Sequence, residues 1–305
     1  MGLMSALLAA LFIAGSNLLM RRSIDSGGTT KAFLVIQMAV ASLIACLMGP
    51  IKTGFYAINP SIVFLGLLTG LFLALMLYVL GKALEKGPPG LTFAVLSSAT
   101  VMPGIVMALI FGVAFGFHYT IWHALGSCLV LAGLFWAGKG LQGMQHLKTW
   151  VILVSFLFVL HVLILAIYQW RAMLLHFPSS LFSKEDIKSQ WFMPMLYLGA
   201  TIVELLIFFS SERRRVSLRE WVYGCGAGVA NCLCTFFLIQ ATELAKGLEN
   251  AVIFPLFSIG TILISNLWGQ HLYQEKVNWR ACQICACGII IGTVDWKIFS
   301  SAIGF

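Results

Sequence analysis

Two ionisable side chains lie inside long apolar runs of this sequence. Glu204 stands within the run LYLGATIVELLIFF, and His161 lies near the centre of the run before it. A charge among apolar residues is costly, so such a residue by default faces a cavity or a partner. A carboxyl and an imidazole together can carry a proton, because burial favours the neutral acid and histidine titrates near neutrality. The alternative is structural: a protonated Glu204 bonds a neighbouring helix, and His161 packs.

Three uncharged polar residues in other apolar runs could contact a solute. Asn17 and Asn231 carry amides that donate and accept hydrogen bonds, and Tyr78 carries a hydroxyl group. We expect all three to line a pathway through the protein. The alternative for the two amides is hydrogen bonding between helices.

Two prolines interrupt apolar runs that also contain hydroxyl groups. Ser97 and Ser98 precede Pro103, and Ser258 follows Pro255. Proline lacks the backbone N–H group and frees a carbonyl four residues earlier. We therefore expect Pro103 and Pro255 to break their helices. Such broken segments either bind a ligand or only bend the helix.

Cys282 and Cys285 have the spacing of a metal or redox pair. No second cysteine pair or histidine pair accompanies them, so we interpret them as small apolar residues one turn apart. The sequence also contains no GxxxxGK(S/T) loop for ATP and no Gly-x-Ser-Gly or His-Glu-x-x-His motif. We therefore predict that the protein has no metal site and no cofactor, and that it is not an enzyme.

Composition places these residues in a membrane. The 305 residues are 60% hydrophobic and only 10% charged, whereas soluble proteins carry about 25% charged residues. The net charge of +8 comes from basic residues in short loops, where they orient a membrane protein and contact anionic lipid. We expect membrane lipid and a small-molecule solute as partners, and no nucleic acid. The oligomeric state stays open.

The apolar runs and the residues that break them predict an all-α integral membrane protein with ten transmembrane helices. A bilayer-spanning helix needs about 20 mostly apolar residues, which leaves only short connections between the spans. The predicted spans cover about 3–20, 32–50, 61–82, 91–115, 120–138, 150–170, 192–210, 221–243, 248–270 and 279–296.

An internal repeat appears when the sequence is shifted by 158 residues. The third span then lies over the eighth. The segment GLLTG at 66–70 matches GCGAG at 224–228, and ALE at 83–85 matches ATE at 241–243. Several matches in one register predict that the chain is built from two copies of a five-helix unit.

The predicted halves cover 1–142 and 147–305. An odd number of helices per half makes the second half enter the membrane with the opposite orientation, and inverted repeats are typical of secondary transporters. Odd-numbered connections carry 13 Lys and Arg residues, whereas even-numbered connections and the tail carry 6. This bias favours odd-numbered connections in the cytoplasm and both termini outside. We expect a multi-pass protein, of the cytoplasmic membrane if bacterial.

Several segments resemble the EamA-type family of drug/metabolite transporters. AGSN at 14–17 is similar to the family's Trp-Gly-Ser-Asn element, and YVLGKALEKGPPG at 78–90 resembles its passage from the third helix into the fourth. Its proline segments resemble 102–103 and 254–258, and Glu275 resembles the acidic residue of the turn before its last helix. The resemblance implies ten helices, with the pathway lined by helices one to four and six to nine.

These observations lead to one expected function and two alternatives. We expect a secondary active transporter that moves a small polar or amphipathic metabolite by alternating access, such as an amino acid, a nucleotide-like compound or a drug. The alternatives are a non-transporting membrane assembly factor and an intramembrane enzyme. The expected pathway residues are Asn17, Tyr78, Ser97, Ser98, His161, Glu204, Asn231 and Ser258.

Overall fold

A computed structural model of the chain describes most of the sequence, with gaps at connections and at the carboxyl end. The predicted turn at Glu275 and the ends of three predicted spans, at 113–115, 120 and 294–296, lie outside the described residues. All regular secondary structure within the described residues is helical. The described residues are 2–54, 56–112, 121–138, 146–174, 190–212, 214–244, 248–274 and 277–293.

Eleven α-helices are described, together with a π-helical segment at Leu47–Ile51 and a 3-10 turn at Ala99–Val101. Helix α2 begins where the Thr29 side chain accepts a hydrogen bond from the backbone N–H of Ala32, as an N-cap residue does. The helices are α1 (Gly2–Asp25), α2 (Thr30–Cys46), α3 (Pro60–Lys86), α4 (Pro89–Ser98), α5 (Met102–Ile110), α6 (Ile121–Gly138), α7 (Leu147–Leu174), α8 (Phe192–Ser211), α9 (Leu218–Leu244), α10 (Leu248–Tyr273) and α11 (Trp279–Thr293).

The described part of the chain is a helical, multi-pass membrane protein. Helices α1, α2, α3, α7, α8 and α9 are long and apolar enough to cross a bilayer, and three shorter apolar helices accompany them. Large apolar side chains such as Leu109, Leu206 and Phe209 are exposed. Their exposure fits a surface that contacts lipid tails rather than water.

The two prolines behave differently. The helix before Pro103 is interrupted, because α4 ends at Ser98 and a 3-10 turn precedes α5. The expectation that Pro255 breaks its helix is wrong, since α10 runs without interruption from Leu248 to Tyr273. Proline removes one backbone donor, and the turns on either side keep theirs, so a helix within a membrane protein can continue through it.

The helices are organised in two compact units, each assembled from both halves of the sequence. Unit 1 contains Met1–Gly15, Ala83–Val162 and Leu233–Phe305, and unit 2 contains Ser16–Lys82 and Leu163–Cys232. The spatial units therefore differ from the predicted sequence halves. Helices α1, α3, α7 and α9 contribute residues to both units.

Within unit 1, α6 packs along α11 and α4 packs along α10. Glycines allow the α6–α11 backbones to approach closely: a Cβ added at Gly126 would lie 2.4 Å from Cα of Gly292. The start of α6 thus meets the end of α11, so the two helices are antiparallel. A Cβ at Gly288 would lie 2.7 Å from the backbone nitrogen of Val130, a residue 158 positions earlier.

Within unit 2, α2 packs along α8, and glycines of α3 and α9 allow these two helices to approach α8 and α2 closely. A Cβ at Gly66 of α3 would contact Phe192 and Met195 of α8, while a Cβ at Gly224 of α9 would contact Phe33 and Ile36 of α2. The two contacted pairs differ by 159 positions. Helix α3 therefore meets α8 in the way that α9 meets α2.

Candidate functional site

A polar cluster joins the α1–α2 and α8–α9 connections of unit 2. The backbone N–H of Thr29 donates to Oε1 of Glu220 at 2.8 Å, and the Thr29 hydroxyl donates to Oε2 of Glu212 at 2.9 Å. The Thr29 hydroxyl also caps α2. The starts of α2 and α9 and the end of α8 therefore meet at one place.

Glu220 is the buried centre of this cluster, with no exposed surface. Arg214 donates from Nη1 to Oε2 of Glu220 at 2.9 Å and from Nη2 to Oε1. The backbone N–H of Ser217 donates to Glu220, whose own N–H donates to the Ser217 hydroxyl, so the two form a capping box at the start of α9. The hydrogen bonds to Glu220 raise the pKa of Arg214 above its usual value and keep it cationic.

Three buried polar residues lie at a common depth below this cluster. Gln37 is eight residues beyond Thr29, Glu204 is eight residues before Glu212, and Asn17 is eight residues before the end of α1. At 1.5 Å per residue, Gln37 and Glu204 lie about 12 Å along their helices from the cluster, and Asn17 lies about 12 Å from the end of α1. With the cluster at one boundary of a hydrocarbon layer about 30 Å thick, this depth is close to the centre of the layer.

Hydrogen bonds connect three helices at this depth. Nε2 of Gln37 donates to the Ser16 hydroxyl at 2.9 Å, and the Ser16 hydroxyl donates to the carbonyl of Ala227 at 3.2 Å. Helices α1, α2 and α9 are thereby linked. Oε1 of Gln37 and Nδ2 of Asn17 are buried and have no hydrogen-bond partner among the described residues, so one acceptor and one donor remain available.

Glu204 is fully buried, and neither of its carboxyl oxygens has a hydrogen-bond partner among the described residues. It is also the one Asp, Glu, Lys, Arg or His residue between positions 192 and 211. An ionised carboxylate in such a place would cost several kcal/mol. The side chain is therefore suited to hold a proton, or to bind a cation that enters the site.

The same face of α8 carries further polar groups. Tyr197, Thr201 and Glu204 are spaced four and three residues apart, which places them in line on one helix face. The Tyr197 hydroxyl donates to the carbonyl and Oδ1 of Asn231 on α9, both at 3.4 Å. Polar contacts thus continue along α8 and α9 past the depth of Glu204.

Unit 1 has a smaller polar site where α4 gives way to the 3-10 turn. The Ser258 hydroxyl of α10 donates to Oγ1 of Thr100 at 3.0 Å. Thr100 in turn donates to the carbonyl of Ser97, and Ser98 donates to the carbonyl of Ala94 at 2.7 Å. Hydroxyl groups therefore satisfy backbone carbonyls at the interruption before Pro103.

His161 also belongs to unit 1. Its Nδ1 lies 2.7 Å from the carbonyl oxygen of Leu96, a contact in which the ring donates. Glu204 belongs to unit 2, so a proton-carrying pair of these two residues stays a prediction.

The eight expected pathway residues divide evenly between the units. Unit 2 holds Asn17, Tyr78, Glu204 and Asn231, whereas unit 1 holds Ser97, Ser98, His161 and Ser258. Tyr78 and His161 are half-buried, and the other six are buried. Among the described residues, no group of three His, Cys, Asp or Glu side chains could hold a metal ion.

Sequence reasoning missed three members of the unit 2 site. Ser16, Gln37 and Tyr197 are 1%, 1% and 2% exposed. Gln37 could have been recognised from the sequence, because it is the one amide in the apolar run FLVIQMAVASLIAC. Its partner Ser16 lies on α1, and hydropathy does not encode which helix packs against that face of α2.

Comparisons with known proteins bear on the fold alone. No family model matches the chain, and no curated protein matches it. Among solved structures, the chain is similar to one described only as "Crystal structure of protein", with a TM-score of 0.63 and 12% sequence identity over 100% of this chain and 99% of the other. The protein therefore shares its overall fold with a known structure whose description names no activity.

Proposed function

We propose that the protein is a secondary active transporter of a small polar or amphipathic solute, built from ten transmembrane helices in two inverted halves at 1–142 and 147–305. The observation that carries this proposal is that buried polar atoms of Asn17, Gln37 and Glu204 have no hydrogen-bond partner among the residues that the structure describes. Buried polar groups that bind nothing in the protein are destabilising, so they are retained where they serve a function.

The packing of equivalent helices supports the inverted halves. Under the sequence register of 158, α2, α4 and α6 correspond to α8, α10 and α11, and each packs on its counterpart. The contacting pair Thr100 and Ser258 is separated by 158 positions, as are Val130 and Gly288. Equivalent residues meet where a two-fold axis passes between two copies, and an axis in the membrane plane makes the paired helices antiparallel.

Contacts between connections support the number of spans. Thr29 in the first connection donates a hydrogen bond to Glu220 at the seventh connection. A Cβ added at Gly49, near the second connection, would lie 3.2 Å from the carbonyl oxygen of Gln190, near the sixth connection. In unit 1, a Cβ added at Gly87, in the third connection, would contact the indole of Trp150, at the end of the fifth connection. Odd connections meet odd ones and even meet even, as alternate crossing of a bilayer requires.

Glu204 supplies a means of coupling transport to a proton gradient. In alternating access, the site opens first to one side of the membrane and then to the other. A carboxyl that takes up a proton on one side and releases it on the other would link solute movement to the pH gradient. The resemblance to EamA-type transporters supports the same class of function. We also propose that the chain belongs to that family.

Counterflow in proteoliposomes tests the proposal. Vesicles loaded with an unlabelled metabolite at millimolar concentration should accumulate the same labelled metabolite from a dilute outside solution. This accumulation requires a carrier that exchanges unlabelled solute from inside for labelled solute from outside. An assembly factor or an intramembrane enzyme would therefore give no accumulation. A panel of amines, amino acids, nucleosides and drugs without any accumulation would overturn the proposal.

A further inference from the structure

We infer that the site at Asn17, Gln37 and Glu204 takes a compact cationic amine that carries a neighbouring amide-type group with both a hydrogen-bond donor and an acceptor. This inference names the solute class of the proposed transporter and rests on that function. It follows from three groups of unit 2 that have no hydrogen-bond partner within the described part of the chain, namely a donor, an acceptor and a carboxyl group.

Each unpartnered group asks for a complementary group on the solute. Nδ2 of Asn17 can donate to a carbonyl oxygen, and Oε1 of Gln37 can accept from an amide N–H. Glu204 lies at the same depth on α8, and its two free oxygens can accept from an ammonium group. The ammonium group thereby supplies a positive charge that pairs with the ionised carboxylate of Glu204.

The surrounding charges disfavour an acid or a zwitterion. Beyond Lys31, the described helix α2 contains no charged residue, and α8 contains only Glu204. In α1, the basic residues Arg21 and Arg22 lie at its end, next to the polar cluster. A solute carboxylate would therefore stand beside Glu204 without a cation from α1, α2 or α8 at that depth. Two like charges in such a site are strongly unfavourable.

Four small probes separate these contributions without any mutation. Leucinamide has both the ammonium and the amide, leucine replaces the amide with a carboxylate, isoamylamine lacks the amide, and isocaproamide lacks the amine. Binding to the full-length purified protein at neutral pH is followed by the rise in Tm with probe concentration. We expect leucinamide to bind at least about tenfold more tightly than each of the other three, because a site built for hydrogen bonds rejects analogues that leave its polar groups unpaired.

Variants assign each contribution to a residue. Glu204→Gln should weaken leucinamide and isoamylamine by about tenfold and leave isocaproamide unchanged, while Gln37→Leu should weaken leucinamide and isocaproamide and spare isoamylamine. Asn266→Ala is the matched control, because Asn266 is a buried amide of unit 1 whose Nδ2 contacts Cys282. It should leave all four affinities unchanged.

The outcomes distinguish this inference from the proposed function. Equal binding of the four probes, or tighter binding of leucine than leucinamide, would overturn the inference even if counterflow is found with another solute. The expected order of binding without counterflow of leucinamide or any other solute would leave the binding site intact and refute transport. Loss of binding in Asn266→Ala alone would also count against the assigned site.

Discussion

Adding one methyl group to Gly70 tests the close contact of α3 with α8. In Gly70→Ala, the new Cβ would lie 2.3 Å from the carbonyl oxygen of Leu196 and 2.8 Å from the nitrogen of Ala200. Ordinary contacts begin near 3.4 Å, so the helices must separate by about 1 Å. Since backbone atoms cannot rotate away as side chains do, we expect a loss of about 1–3 kcal/mol in unfolding free energy, typical of overpacked cores.

Two further variants calibrate this effect. Gly228 is the counterpart of Gly70, and a Cβ there would lie 2.7 Å from the carbonyl oxygen of Gln37, so Gly228→Ala should destabilise the protein somewhat less. Gly15→Ala is the control, because the nearest atom to its Cβ would be 4.0 Å away in the ring of Trp268. Alanine is also the better helix former, so we expect no loss for this variant.

The assay is thermal unfolding of the purified protein in detergent. From about 1–3 kcal/mol, the Tm of Gly70→Ala should fall by about 2–6 °C, that of Gly228→Ala by less, and that of Gly15→Ala by nothing. A Gly70→Ala protein as stable as the unmodified chain would refute the packing of α3 on α8. A loss as large in Gly15→Ala would show that the effect does not arise at these contacts.

Two other substitutions test the polar groups of unit 2. Glu204→Gln should leave folding nearly intact and abolish uptake driven by a pH gradient, while solute exchange at equal pH continues at saturating solute concentration; normal gradient-driven uptake would show that Glu204 does not couple transport to protons. Arg214→Ala should lower stability by about 1–2 kcal/mol in a thermal assay, because it leaves buried Glu220 short of donors while water replaces part of the contact. Exposed Arg215→Ala is its control, and equal losses in both would contradict the role of Arg214 in the cluster.

Hydropathy located the helices well where a helix crosses the apolar layer and ends with it. The span expected at 192–210 is the helix Phe192–Ser211. The span expected at 61–82 extends to Lys86, because the helix continues through Ala83, Leu84 and Glu85 after the apolar run has ended. Hydropathy measures the transfer of side chains, whereas helix ends are set by backbone hydrogen bonds.

The candidate site could be predicted only in part. Glu204 and Asn17 were visible as polar residues in apolar runs, and the capping box of Ser217 and Glu220 has a local sequence signature. The bond from Thr29 to Glu220 joins positions 191 residues apart, so no local pattern reports it. The same holds for Gln37, whose role depends on which helix its face meets.

The inverted arrangement of the halves is the claim on which the transporter proposal depends, and side-specific labelling tests it most directly. Lys52 follows α2, and Arg215 follows α8, the counterpart of α2 in the second half. Single cysteines are placed at these two positions in a variant without the natural cysteines and exposed to a membrane-impermeant maleimide in sealed, uniformly oriented vesicles. We predict that one of Lys52→Cys and Arg215→Cys reacts in intact vesicles and the other only after permeabilisation. Reaction of both from the same side would contradict the inverted halves.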